Sequence, residues 1–220
     1  MSQSKRILLL GAGGHCLSVL DSLIALSEYD KIGIVDMAIN STEEGANMIM
    51  GIPVVGRDED LNQLHKEGYT DAFISVGSVG DVTLRVRLYH MLKRIGFDIP
   101  NIIDKSSIVS PFATLGEGIY IAKKVVVNAK ASIGNNCILN TACIIEHECR
   151  LADFVHISPG CVLSGNVKID SGTHIGAGST IKQGIHVGSD TMVGMGSIVL
   201  NDIGSKKIAY GNPCKEVAHE

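Results

Sequence analysis

Beginning at Ile103, every sixth residue is aliphatic. The series runs Ile103, Val109, Leu115, Ile121, Val127, Ile133, Leu139, Ile145 and Leu151, then Ile157, Leu163, Ile169, Ile175, Ile181, Val187, Val193 and Val199. These seventeen positions contain no insertion. With roughly one residue in three aliphatic, chance gives such a run on the order of once in 10⁸, so the period belongs to the fold. Four places after each aliphatic lies a second column, which includes Ala113, Ala131, Cys137, Cys143, Cys149, Val155, Cys161, Thr173, Ser179 and Ser197. Its residues are small or β-branched. A six-residue period predicts a parallel β-helix: each rung is a short strand, three rungs close one triangular coil of 18 residues, and aliphatic side chains stack coil on coil inside. Glycines such as Gly116, Gly134, Gly176, Gly188 and Gly194 are expected near the corners.

Composition agrees with an interior filled by aliphatic and small side chains. Of 220 residues, 25 are glycine, aromatics make up 4% and Trp is absent. The 19 basic and 23 acidic side chains leave a net charge of −4, without the basic stripe that nucleic-acid binding needs. No apolar run reaches the roughly 18 residues of a membrane span. The opening stretch lacks a signal-peptide cleavage site and reads as a strand, so a cytoplasmic protein with no membrane partner is expected. Four of the six cysteines fall in the small-residue column and no CxxC pair occurs, which points to packing rather than to disulfides or zinc.

The first hundred residues carry a different pattern. An apolar strand over residues 5–10 leads into Gly11, Ala12, Gly13, Gly14 and His15. A helix over residues 17–26 follows, and then a strand Lys31–Val35 closed by Asp36. A glycine loop between strand and helix, with an acid about 20 residues on, suits a nucleotide-phosphate site. Cys16 stands where the third glycine of the usual fingerprint would be. A third strand over residues 71–76 ends at Gly77 and Ser78, and a helix Thr83–Ile95 bears Arg85, Arg87, Lys93 and Arg94. Alternating strands and helices predict a small parallel sheet. Residues 40–47 read as a mobile surface loop, and 97–103 as the bridge to the repeat. Two domains are expected, an α/β nucleotide-binding domain over 1–100 and the β-helix over 101–220.

The unusual outward residues of the repeat lie at 140–149. His147 stands two places after Ile145, with Ala129 one coil earlier and Gly165 one coil later. An imidazole between small neighbours has room for a substrate. Glu146 and Glu148 flank it, and a carboxylate on one ring nitrogen fixes the tautomer and makes the other a better base. A surface histidine in a charged turn is the plainer alternative. His156 and His174, 18 residues apart, should stack at one corner, with His186 on another face. A three-histidine zinc site is a competitor, but no local H-x4-H pair supports it.

Three features together carry a resemblance: the repeat, the GAGGH start, and Asn140, Thr141, Ile145, Glu146, His147, Glu148 and Cys149. With them the chain resembles the bacterial sugar acyltransferases of the left-handed β-helix superfamily, especially the UDP-N-acetylbacillosamine N-acetyltransferases and the sialic acid O-acetyltransferases. Gly211, Asn212, Pro213, Cys214 and Lys215 resemble a G-x-P-A-K stretch of such enzymes, with Cys214 in place of the alanine. The resemblance implies His147 as general base and Glu148 as the acid that raises its basicity. It implies acetyl-CoA as co-substrate, contacted at His156, Ala177 and Met195. It places a nucleotide sugar at Gly13, Gly14, His15, Asp36, Gly77 and Ser78, and, near the acceptor, Asn140. Met37 replaces a second acid seen in some relatives. It also implies a homotrimer with acetyl-CoA lying between neighbouring β-helices, and no metal.

The expected reaction is therefore direct acetyl transfer to the 4-amino group of a UDP-bacillosamine-type sugar. His147 would remove the proton as the nitrogen attacks, and a backbone N–H would hold the thioester oxyanion. O-acetylation of sialic acid or a related sugar is the alternative. A non-catalytic nucleotide-sugar binding protein is a third reading, against which the His147–Glu148 pair argues.

Overall fold

The computed structural model describes residues 4–37 and 48–217, so the loop expected at 40–47 lies outside the described residues. The chain forms two compact units. One runs up to Gly77 and includes Thr83–Pro100; the other is Ser78–Val82 together with the chain from Asn101 onward.

In the first unit, β1 (Arg6–Leu10) runs parallel to β2 (Lys31–Val35). The helix between them, α1 (Gly14–Leu26), starts three residues earlier than the leucine spacing suggested, because Gly13 caps it in an extended conformation. Next come β3 (Met48–Ile49) and β4 (Ile52–Gly56), a tight antiparallel hairpin, and then α2 (Leu61–Lys66). These short elements leave little periodic signal, and the sequence did not reveal them. The strand β5 (Asp71–Ile74) and the helix α3 (Thr83–Ile95) complete the unit. The sheet order is β3-β4-β2-β1-β5. Strands β2 and β5 flank β1, so the order reverses there, and the carboxyl ends of these strands form the crevice where open α/β sheets take ligands. The core includes Leu8, Leu10, Val35, Ile74, Leu88 and Leu92. Arg85 is 1% exposed and donates to the carbonyls of Ile74 and Val76.

The second unit is the parallel β-helix that the repeat predicted, left-handed as the resemblance implied. Seventeen two-residue strands follow at six-residue spacing from Ile102–Ile103 to Ile198–Val199, and they stack into three parallel faces. One face carries His156 and His174 (the histidine face). The next presents Ile108, Val126, Ile144, Val162, Thr180 and Ile198 in its outward positions (the apolar face). The third presents Thr114, Ser132, Arg150, Lys168 and His186 (the polar face). Inside, Ile121, Leu139, Ile145, Ile157, Leu163, Ile175 and Ile181 are fully buried, and so are Cys137, Cys143, Cys149 and Cys161.

Each corner turns through one residue in the left-handed region. From Gly118 to Gly196 every sixth residue has positive φ, among them Lys124, Lys130, Asn136, Ala142, Glu148, Phe154, Asn166 and Asp190. Beyond the last rung a hairpin, Ile208–Gly211 with Cys214–Val217, extends the histidine face.

Candidate active site

The glycine loop leaves β1 and enters α1. Nothing lies within 4 Å of where a Cβ on Gly13 or Gly14 would sit, and the first turn of α1 holds no acidic side chain. The first N–H groups of a helix have no partner within the helix, so this end is an open cradle for an anion. His15 packs at the same end, its Cβ 3.4 Å from the Cβ position of Gly77. Asp36 does not simply face the crevice: its carboxylate accepts the Ala12 N–H at 2.6 Å and so fixes the loop. The first unit thus gathers Gly13, Gly14, His15, Asp36 and Gly77 at the carboxyl ends of its strands. Ser78, read from sequence with Gly77, falls in the second unit.

In the second unit, the carbonyl of Ser78 is 2.6 Å from His156 Nδ1. A carbonyl can only accept, so this bond protonates Nδ1 and leaves Nε2 as an acceptor. His156 and His174 are both 8% exposed, and their rings pack edge to face at 4.6 Å. They sit on a flat face rather than at a corner, because their strands pair in register. His174 Nε2 lies 3.2 Å from Ser158 Oγ, and burial holds its imidazole below the usual range. Beside this pair is a cavity of about 320 Å³ whose lining includes Asn140, Pro159, Ala177 and Met195. The sequence-predicted residues His156, Ala177, Met195 and Asn140 therefore meet at one place. Met195 is 81% exposed, and Asn140 turns its side-chain oxygen toward the N–H of Thr141. His174, Ser158 and Val79 were missed as lining residues; the 18-residue spacing from His156 could have found His174.

His147 lies elsewhere. It occupies the corner between the apolar and polar faces, whereas the cavity follows the corner between the histidine and apolar faces. Its Nδ1 is 3.4 Å from Glu148 Oε2, and both side chains are 55% exposed. The backbone N–H of His147 donates to Glu146 Oε2. The imidazole covers Gly165, where a Cβ would come within 2.6 Å of Nε2, so on that side the ring itself fills the room expected beside its small neighbour. The arrangement is a half-exposed imidazole with a carboxylate on one nitrogen, which suits proton removal from an incoming nucleophile.

Thiol chemistry has no support. Burial pushes the Cys149 thiol up to about 11 and raises Cys143 and Cys161 as well. Among the described residues no group of three metal-ligating side chains occurs, and no helix is long and apolar enough to cross a membrane.

This β-helix, with its cavity and its imidazole–carboxylate corner, defines a hexapeptide-repeat acyltransferase. The family described as PglD N-terminal domain matches residues 6–92, and bacterial transferase hexapeptide (six repeats) matches 148–183. A histidine variant of perosamine N-acetyltransferase from Caulobacter crescentus, solved with CoA and GDP-perosamine, is 32% identical, with a TM-score of 0.88 over 97% of both chains. The acetyltransferase domain of PglB from Neisseria gonorrhoeae FA1090, solved with acetyl coenzyme A, is 33% identical, with a TM-score of 0.88 over 97% of this chain and 100% of that one. WeeI from Acinetobacter baumannii AYE, 20% identical with a TM-score of 0.77 over 97% of this chain and 100% of that one, shares the fold. A search of curated proteins finds no match. The chain belongs to the left-handed β-helix sugar N-acetyltransferases of the bacillosamine family, and it is an acetyl-CoA-dependent acyltransferase.

Proposed function

We propose that the protein transfers the acetyl group of acetyl-CoA to the 4-amino group of a nucleotide-linked 4-amino-4,6-dideoxy sugar of the bacillosamine type. The observation that carries this reading is one chain holding both an open glycine cradle for an anion and an accessible imidazole–carboxylate pair. The first suits a nucleotide diphosphate; the second suits deprotonation of an amine. The relatives solved with GDP-perosamine and acetyl coenzyme A support the same pairing of substrates.

A sugar amine is largely protonated at neutral pH and cannot attack until it loses a proton. The amine nitrogen attacks the thioester carbonyl, His147 Nε2 takes the proton, and the C–S bond breaks to release CoA and the amide. Glu148 holds Nδ1. His156, Ala177 and Met195 bind the acetyl-CoA arm along the cavity, Asn140 lies near the acceptor, and Gly13, Gly14, His15, Asp36, Gly77 and Ser78 hold the nucleotide sugar.

The two halves of the β-helix site stand at the two corners that border the apolar face. A single copy keeps them a whole face apart. A homotrimer that turns each apolar face to its axis removes this problem, because a ring brings one border of each prism against the opposite border of the next. His147 of one copy then meets the cavity of its neighbour. The outward Ile108, Val126, Ile144, Val162 and Ile198 fit burial at such an axis.

A thiol-release assay tests the function, using acetyl-CoA with a panel of GDP-, UDP- and TDP-linked 4-amino sugars and free sialic acid. Rapid release with a 4-amino nucleotide sugar is expected. Release with sialic acid alone would transfer the protein to O-acetylation, and no release would overturn the acceptor class.

A further inference from the structure

The first unit has a concavity that starts beside the glycine loop, at Gly11, and runs past it. It is a slot of about 180 Å³ at the carboxyl ends of β1, β2 and β5, with apolar walls that include Val35, Val76 and Leu84. Asp36, Asp58 and Arg87 stand on its rim. Arg87 projects from α3, and Asp58 opens the short 3₁₀ turn Asp58–Asp60. Their side chains form an ion pair at 3.7 Å. The two partners are unequal: the Asp58 side chain is 23% exposed and that of Arg87 is 67% exposed. Burial raises the Asp58 carboxyl, Arg87 opposes that, and the nearby Glu59 and Asp36 add to it.

We propose that this slot seats the nucleobase of the acceptor and that Asp58, with Arg87, selects guanine. The inference rests on reading the glycine loop as the diphosphate cradle. The slot lies at the sheet's switch point, and its apolar walls suit the faces of a planar ring. The rim then reads the ring's edge. Asp36 is engaged by the Ala12 N–H, which leaves the Asp58 carboxylate beside Arg87 to read the edge, and a carboxylate favours the edge richest in N–H groups. Guanine offers N1–H and the N2 amino group side by side, which match a carboxylate's two oxygens, and O6 next to them accepts from Arg87. Uracil and thymine present one N–H between two carbonyls, so a carbonyl would face the carboxylate. Adenine and cytosine offer a single amino group beside a bare ring nitrogen. The half-buried carboxylate also loses less water on binding than an exposed one would. This reading replaces the uracil implied by the sequence resemblance.

Calorimetric titration of the full chain with GDP, UDP, dTDP, ADP and CDP tests it. The bidentate pair predicts that GDP binds about tenfold to a hundredfold more tightly than any of the others. Asp58→Asn should remove most of that preference and leave UDP binding within about threefold, while Gly13→Val should weaken every nucleotide alike. Equal binding of the five nucleotides, with Gly13→Val still weakening all of them, would overturn the base assignment and leave the cradle standing. Loss of GDP and UDP binding to the same extent in Asp58→Asn, with an unchanged melting temperature, would do the same. No nucleotide binding at all would overturn the cradle and the base assignment together.

Discussion

The imidazole of His147 occupies the space that a side chain at residue 165 would need. A Cβ built on Gly165 would lie 2.5 Å from His147 Cε1 and 2.6 Å from Nε2. Gly165→Ala must therefore rotate or lift the ring, and Nε2 is the atom whose position sets proton transfer. A positioned base is worth roughly 10²–10⁴ in rate, so kcat should fall at least tenfold in this variant. Gly165 is buried beneath the ring, but the His147 side chain is 55% exposed and can swing into solvent, so the melting temperature should move little. Steady-state kinetics beside a thermal melt separate the two effects, and full activity in Gly165→Ala would remove His147 from the reaction.

Replacing His147 itself gives the upper bound. His147→Ala should lower kcat by about 10² or more, the usual worth of a general base, with little change in the acetyl-CoA KM. An unchanged kcat would show that another group takes the proton.

Glu148 has a second property that its sequence position hides. Its φ is +61°, in the left-handed region where a residue with a Cβ costs roughly 1–2 kcal/mol. Glu148→Gly should relieve part of that cost and raise stability by about 1 kcal/mol. The same variant should lower kcat, because the carboxylate that holds Nδ1 is gone. Glu148→Gln keeps the backbone cost and should lower kcat without the stability gain. Denaturant titrations paired with rates test this; a Glu148→Gly protein that is both more stable and fully active would make the carboxylate irrelevant.

These details show how much was readable in advance. The β-helix follows from the hexads because each rung repeats the same packing problem, so Ile103 to Val199 announce it without help. The strand-loop-helix start at Gly11–His15 was legible because its glycines mark a tight turn, and at Gly11 the φ of +105° and a Cβ position 2.5 Å from Val76 require glycine. The hairpin of Met48–Ile49 with Ile52–Gly56 left no trace, since strands of two to five residues do not establish a period. The division of the site was also hidden. His147 and His156 are nine residues apart in sequence, yet the apolar-to-polar corner holds one and the histidine face the other. The burial of Arg85 was not legible either, because helical spacing alone does not reveal the carbonyls of Ile74 and Val76 that satisfy it.

The apolar face gives a test of assembly. Ile144 projects from its middle, in register with Val126 and Val162. Ile144→Glu should leave each prism folded, because Ile145 and the interior column are untouched. It should place three carboxylates against one another at a threefold axis and break the assembly. Sedimentation should then show monomer, and activity should fall with the assembly rather than with the fold. Mixing two inactive variants gives the complementary check. One is His147→Ala, and the other is Ala177→Trp, which fills the cavity. Co-assembled chains should regain part of the activity, because some interfaces pair an intact His147 with an intact cavity. No recovery in verified hybrids would place both halves of the site within one copy.

The His156–His174 pair predicts a pH dependence whose sign can be worked out. Burial lowers the His174 pKa in the folded protein, and the Ser78 carbonyl opposes this only in part. The folded state therefore binds fewer protons at this site than the unfolded chain, whose histidine titrates near 6.5. The stability tied to neutral His174 is fully present above about pH 6.5 and declines as pH falls below it. His174→Asn removes the titrating group while leaving a polar side chain for Ser158. Melting temperatures recorded between about pH 7.5 and pH 5 should fall more steeply for the wild type than for His174→Asn. Parallel curves would mean that His174 takes up its proton within the fold, with the stacked ring of His156 and Ser158 Oγ accommodating the charge. The same series on the acetyl-CoA KM should show whether the pair also holds the cavity open, since a charged His174 would disturb the neighbouring His156 at 4.6 Å before the fold is lost.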